Sequence, residues 1–207
     1  MYAKIFGEHG RERLAENVSL SPDQQRQMDQ SRALLREAAD QGHMLARSHC
    51  ADLYNFGRGV TKDHRLAFVY DEKAAQQGVP QAQCNTGCNY RDGLGCEQSY
   101  ERAAEWFEKA ALQGNADAQI NLGFAYKHGE GVPQSDERAF ELYMQSAPQR
   151  NSQGQNNVGL CYRDGRGCKQ NYEQAAEWLE KACAQGHASS QNSLGFAYQQ
   201  GRGVPQS

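Results

Sequence analysis

Proline is scarce in this chain, with five residues against twenty-one glycines, and only two tryptophans occur in 207 residues. No apolar run approaches the length of a membrane-spanning helix, which excludes a helical membrane protein. The start, Met1 to Arg13, has no apolar segment of the kind a cleaved signal peptide needs. The expected compartment is therefore cytoplasmic. A net charge of -3 offers no electrostatic pull toward nucleic acid or an anionic membrane. Catalytic signatures are missing too. There is no His-Glu-x-x-His, no Gly-x-Ser-x-Gly, and no pair of carboxylates that stands out from surface charge. The six histidines fall at unrelated places. The chain reads as non-catalytic, with no cofactor and no metal.

What is present is a repeat. Gly57-Arg58-Gly59-Val60 returns as Gly-x-Gly at Gly93/Gly95, Gly129/Gly131, Gly165/Gly167 and Gly201/Gly203, always 36 residues on. A fixed period of this size marks stacked supersecondary units. Gly-x-Gly can also cradle a phosphate, but only after a strand and ahead of a helix. Here each copy follows a helical pattern at its C-terminal end, where the dipole disfavours an anion. The motif is read as a structural turn.

Each unit reads as helix A, glycine loop, helix B, glycine. Helix A has Ala46, Ala82 and Ala118 near its start, and Tyr54, Tyr90, Tyr126, Tyr162 and Tyr198 near its end. A small residue precedes each tyrosine by three: Ala51, Gly87, Gly123, Gly159, Gly195. Helix B has Ala67, Ala103, Ala139 and Ala175, then a large residue at Tyr70, Trp106, Leu142 and Trp178. Small positions let a neighbouring helix approach, and the large residue is expected to fill the groove beside them. The fold class is thus all-α, a superhelix of about five helix-hairpin repeats, because one hairpin cannot bury its own face.

The repeats occupy 22–207, behind an irregular or degenerate segment 1–21 with a weak helical pattern over Lys4–Asn17. Ser21-Pro22-Asp23 reads as a helix start, and Gly42 as that helix's end. One repeat is damaged: Pro148 and Arg150 stand where Leu112 and Gly114 stand one period earlier. Helix B is therefore expected to end a turn early, near Ser146. Residues 87–135 and 159–207 match at most positions, as after duplication of a two-repeat unit. The last copy stops at Pro205-Gln206-Ser207, where the earlier one runs into helix B. The final repeat is expected to be truncated after its first helix, with an apolar face uncovered.

Ala-Gln-x-x-Leu-Gly-x-x-Tyr (Ala118 to Tyr126), Gly-x-Gly-Val (Gly129 to Val132), Ala-x-x-Trp-x-x-x-Ala-Ala from Ala103, and Gln113-Gly114 resemble Sel1-like repeats, relatives of tetratricopeptide repeats. The resemblance covers roughly 22–207. It implies a right-handed α/α superhelix and a role as scaffold or adaptor for other proteins. A cysteine-rich branch of that family staples its hairpins with disulfides. Cys183 matches one half of such a staple, but Gln191 stands at the partner position, and Gln76 faces Cys84 in the same way. The resemblance therefore gives no staple here, and seven thiols are expected. That branch has also been linked to penicillin hydrolysis, for which Ser-x-x-Lys, Ser-Asp-Asn and Lys-Thr-Gly are all missing.

In superhelices of this type helix A lines the concave face. By phase, the candidate partner-binding residues are Arg91 and Asp92, then Ile120, Phe124, Lys127 and His128. The next repeats give Asn156, Leu160, Arg163 and Asp164, followed by Asn192 and Phe196. Cys88, Phe124, Leu160 and Phe196 share one phase and form an apolar stripe flanked by amides and charges, which suits a partner peptide or protein. The competing reading puts the stripe in the core between helices. Two further alternatives remain: a metal- or redox-responsive module built on Cys84 and Cys88, or the repeat region of a larger multidomain protein.

Overall fold

The structure is a computed structural model and describes residues 21–203. The expectations for residues 1–20 and for the last four residues lie outside it. Among the described residues there are ten α-helices, one 3-10 turn and no strand. They are α1 (Pro22–Asp40), α2 (Met44–Phe56), α3 (His64–Gln76), α4 (Pro80–Asp92), α5 (Tyr100–Leu112), α6 (Ala116–His128), α7 (Asp136–Ser146), α8 (Ser152–Asp164), α9 (Tyr172–Cys183) and α10 (Ala188–Gln200). Even-numbered helices are the first of each hairpin and odd-numbered ones the second. Each packs on its predecessor and successor, giving an α/α solenoid.

The ends of these helices follow from their sequence. Ser21 caps α1 in a reciprocal box with Gln24, and Pro22 sits at the first helical position. Asp63, Ser99, Ser135 and Asn171, one period apart, each accept a hydrogen bond from the amide three residues on, opening α3, α5, α7 and α9. First helices close on a left-handed glycine, as at Gly129 with φ 71°. Helix α7 ends at Ser146, as Pro148 leads one to expect, and a 3-10 turn over Ala147–Gln149 completes the hairpin.

Arg150 then takes φ 59°, which the glycines take elsewhere, and is the one non-glycine residue with positive φ among the described residues. Left-handed backbone costs a side-chain residue about 1 kcal/mol. Arg150→Gly is expected to stabilise the chain by up to about 1 kcal/mol, read as a higher urea midpoint at unchanged slope. A lowered midpoint would mean that the arginine side chain compensates its own strain.

The core is small-on-large, one step out of the expected phase. The residues that sit against the mid-helix glycines are Phe107 on Gly87, Tyr143 on Gly123 and Leu179 on Gly159, not Trp106, Leu142 and Trp178. A Cβ on Gly87 would lie 2.6 Å from the Phe107 ring, so the missing side chain is what lets the aromatic seat. Trp106 and Trp178 are only partly buried, and each instead carries a lysine over its ring, Lys109 at 4.2 Å and Lys181 at 4.0 Å.

Buried amides tie the repeats together. Gln83, Gln119 and Gln155 each donate to a carbonyl ending the preceding second helix, at Ala75, Ala111 and Ala147, over 3.2, 3.3 and 3.2 Å. Each accepts from the glutamine one repeat ahead: Gln113 at 2.8 Å, Gln149 at 3.0 Å and Gln185 at 2.7 Å. The glutamines add a side-chain bond to helix-end carbonyls, two of which, at Ala75 and Ala111, also accept the amide of the closing glycine, Gly78 and Gly114. At the other end α10 is open. Among the described residues nothing lies within 4 Å of a Cβ built on Gly195, and Phe196 and Tyr198 are 55% and 48% exposed.

Candidate functional site

The position after a helix's small residues faces the neighbouring hairpin, so equal phases should make equal surfaces. Two clefts show this. The first, about 260 Å³, lies between α4 and α6 over α5. Arg91 closes one side, Phe107 and Ala103 form the floor, and Asn121, Phe124 and His128 form the other wall. The second, about 250 Å³, lies between α6 and α8 over α7, with Lys127, Ala139 and Tyr143, and Asn157, Leu160 and Asp164 in the same roles. Every one of these pairs is 36 residues apart.

The structure thus brings Arg91, Phe124 and His128 into one cleft, and Lys127, Leu160, Arg163 and Asp164 into the next. Phe124 is half-buried, its ring edge-on to Tyr143 at 5.9 Å and stacked on His128 at 6.3 Å. The stripe therefore belongs in part to both readings: its base packs on the core and its rim stays open. Arg91 holds Asp92 through Nε and Nη2 at 2.7 and 2.9 Å, and Arg163 holds Asp164 through the same two nitrogens at 2.7 and 3.0 Å. Each guanidinium keeps its carboxylate below the usual range, helped at Asp164 by Arg166 and Lys127. The exposed Asn192 and Phe196 lie on α10 outside both clefts.

Two expected contact residues are not on any open face. Ile120 is buried in the core around Tyr143, where an apolar side chain is best placed. Asn156 is also buried, and its Oδ1 accepts from Ser190 Oγ at 2.8 Å across the joint between repeats. Neither can meet a partner. The metal alternative loses ground as well. Among the described residues no three His, Cys, Asp or Glu side chains converge, and Cys96 turns its thiol to the Asn89 carbonyl at 3.4 Å.

Sequence reasoning missed Asp71. It stands in α3 at the phase of Phe107, Tyr143 and Leu179. It is 4% exposed. Asn85 and Asn89 donate to its two oxygens, each at 3.3 Å. Burial pushes its carboxyl up to about 7, with the Asp52 charge adding to the rise and the two amides opposing it. The signal was available, since one acid breaks an apolar column at 36-residue spacing. The phase expected to pack, that of Trp106, Leu142 and Trp178, lies one residue before it and carries no acid.

The profile of the Sel1 repeat matches residues 19–43, 44–79, 80–115, 116–147, 152–187 and 188–207. The chain belongs to the Sel1 repeat family. The match counts six repeats where the glycine loops suggest about five, because α1 is itself the second half of a repeat. Solved Sel1-type structures agree. A protective antigen of uropathogenic Escherichia coli with an SLR fold is 30% identical over 91% of this chain, with a TM-score of 0.80. This chain spans 46% of that antigen, less than half its length. A Sel1 repeat protein from Oxalobacter formigenes is 26% identical over 91% of this chain and 68% of its own, with a TM-score of 0.76. An immunity protein from Pseudomonas aeruginosa is 26% identical over 86% of this chain and 63% of its own, with a TM-score of 0.54. No curated protein is similar enough to count as a match. Sel1 repeat proteins generally mediate protein–protein interaction. No helix among the described residues is long and apolar enough to cross a membrane.

Proposed function

We propose that this Sel1 repeat chain is a non-catalytic scaffold that holds a segment of a partner protein in the groove between its first helices. The observation that carries this reading is the recurrence of the same cleft, one repeat apart, with an apolar floor and a charged rim. A segment in extended or helical form would set apolar side chains into successive clefts. Lys127, Arg163 and the open edge of Phe124 would meet its polar groups. Asp92, Asp164 and His128 would border it, and Asn192 and Phe196 would extend the surface toward the C-terminal end. Its partners are proteins or peptides rather than nucleic acid. An odd number of cysteines, all free, suits the reducing cytoplasm.

A random-peptide display selection on the full chain tests this. Selected peptides are expected to lose at least about tenfold in affinity on Leu160→Ala, the loss of one apolar anchor at about 1.4 kcal/mol. Arg163→Ala should weaken them less. Peptides that bind folded Leu160→Ala and Phe124→Ala variants as tightly as the parent would place the docking surface elsewhere.

A further inference from the structure

We propose that the second cleft, between α6 and α8 over α7, is a carboxylate seat that takes an Asp or Glu side chain of the partner segment. The proposal rests on the groove reading and names what one part of that groove recognises. Two side chains lining the cleft carry donors with no acceptor among the described residues: the Tyr143 hydroxyl and Asn157 Nδ2. Tyr143 is 2% exposed and Asn157 6%. Burial pushes the Tyr143 hydroxyl up, so it stays protonated and remains a donor. A buried donor left unmet is unfavourable, and an incoming acceptor removes that cost.

Neighbouring bonds fix which end of the Asn157 amide is free. The Ser190 amide donates to His187 Nδ1 at 3.2 Å, so the ring carries its proton on Nε2, which donates to Gln153 Oε1 at 3.3 Å. Gln153 therefore turns its Nε2 to Asn157, whose Oδ1 accepts at 3.4 Å. Nδ2 is the end left over. The first cleft lacks such donors. There Asn121, one period earlier, accepts from Arg91 Nη1 at 2.8 Å and donates its Nδ2 to the Asp117 carbonyl at 3.0 Å. Phe107 stands there in place of Tyr143 and brings no hydroxyl. In the second cleft Lys127 replaces Arg91 and sets its ammonium over the Phe124 ring at 5.9 Å.

Charge selects the acceptor. Lys127, Arg163 and Arg166 line the second cleft against Asp136 and Asp164. Arg163 is held by Asp164, so Lys127 and Arg166 are left with Asp136 alone. Those same two cations help to keep Asp164 below the usual carboxylate range, so the field at this rim favours a negative charge. A partner's carbonyl would meet the two donors but not the field. A carboxylate answers both, in charge-assisted bonds. The first cleft sets Arg91 against Glu130 and has no such excess. An acid on the partner would therefore choose between two clefts of like shape and fix the register of the segment.

The test uses the full chain and display-selected peptides. Tyr143→Phe removes only the hydroxyl, and Phe107 shows that the fold takes a phenyl ring at this phase. The selected peptides are expected to share an Asp or Glu, whose change to Ala costs about tenfold in affinity. Tyr143→Phe should weaken the acidic peptide severalfold and its Ala counterpart hardly at all. Arg166→Gln should show the same preference. In the free chain Tyr143→Phe should have a urea midpoint no lower than the parent's, because the hydroxyl it removes is unpaired. Peptides with no shared acid would overturn the carboxylate seat. So would equal losses for the two peptides on Tyr143→Phe, or a lowered midpoint for that variant. If Leu160→Ala still weakens the peptides in those cases, the groove stands without the seat. Coupling between the acid and Tyr143 with no effect of Leu160→Ala would keep the seat and count against the groove.

Discussion

Gly131→Ala is expected to destabilise the solenoid by about 3 kcal/mol or more, whereas Gly129→Ala, two residues away, should cost only about 1 kcal/mol. Both glycines have positive φ, 71° at Gly129 and 73° at Gly131, so both substitutions carry the same backbone penalty. What separates them is the neighbour. A Cβ on Gly129 would meet the Gln134 side chain at 3.4 Å, an ordinary contact. A Cβ on Gly131 would land inside the van der Waals envelope of the Tyr100 carbonyl, at the start of α5 in the preceding repeat. Backbone cannot step aside as a side chain can, so the two repeats must separate. In a stack whose stability is a sum of repeat and interface terms, that weakens the joint between repeats rather than a single hairpin. Urea unfolding of Gly131→Ala should show a lowered midpoint and a broadened transition. Equal midpoints for the two variants would show that the second glycine has no inter-repeat role.

That comparison also marks what the sequence could and could not say. The period, the helix pairs, the cap at Ser21 and the short α7 were legible, because each follows from a local rule. The Gly-x-Gly loop was legible as a turn, with its first glycine as the helix end. Its second glycine was not legible as a contact, because the same carbonyl approach recurs at Gly95 on His64, Gly131 on Tyr100 and Gly167 on Asp136, each pair more than thirty residues apart. The binding stripe was half legible. Phase alone puts Phe124 and Leu160 on the cleft, but it puts Ile120 and Asn156 there as well. Only packing shows that a position four residues earlier on the helix already points into the hairpin. The glutamine relay was hidden for a related reason. Gln83, Gln119 and Gln155 look like surface amides until the helix-end carbonyls and neighbouring glutamines they bond to are in place.

Asp71 gives the second large effect, and its sign follows from where it is buried. Its carboxyl stands near 7 in the folded chain and at the ordinary 3.8 when unfolded. The folded state therefore holds the proton more tightly. The stabilisation from protonated Asp71 is fully present below about pH 4 and is lost as pH rises through about 7. A difference of about three pKa units corresponds to about 4 kcal/mol, an upper figure because the effective dielectric around buried charges exceeds that of a dry interior. The groups packed round the carboxyl are Asn85 and Asn89 of α4 and the Asp52 charge from α2. The amides soften the cost without removing it. Asp71→Asn keeps the volume and removes the charge. It should match the parent near pH 4 and exceed it by about 2 to 4 kcal/mol at pH 8, with most of the change between pH 5 and 7. Asp71→Leu restores the apolar column of Phe107, Tyr143 and Leu179 but strands the two amides, so its gain at pH 8 should be smaller. Urea unfolding of all three chains at pH 4.5, 6 and 8 decides the matter. Parallel pH profiles for the parent and Asp71→Asn would mean that the carboxylate is solvated in the folded chain. If the profiles diverge as expected, Asp71 is a buried charge kept against a standing cost. An acid where the following repeats carry Phe107, Tyr143 and Leu179 is then the feature that distinguishes this repeat from the three that follow.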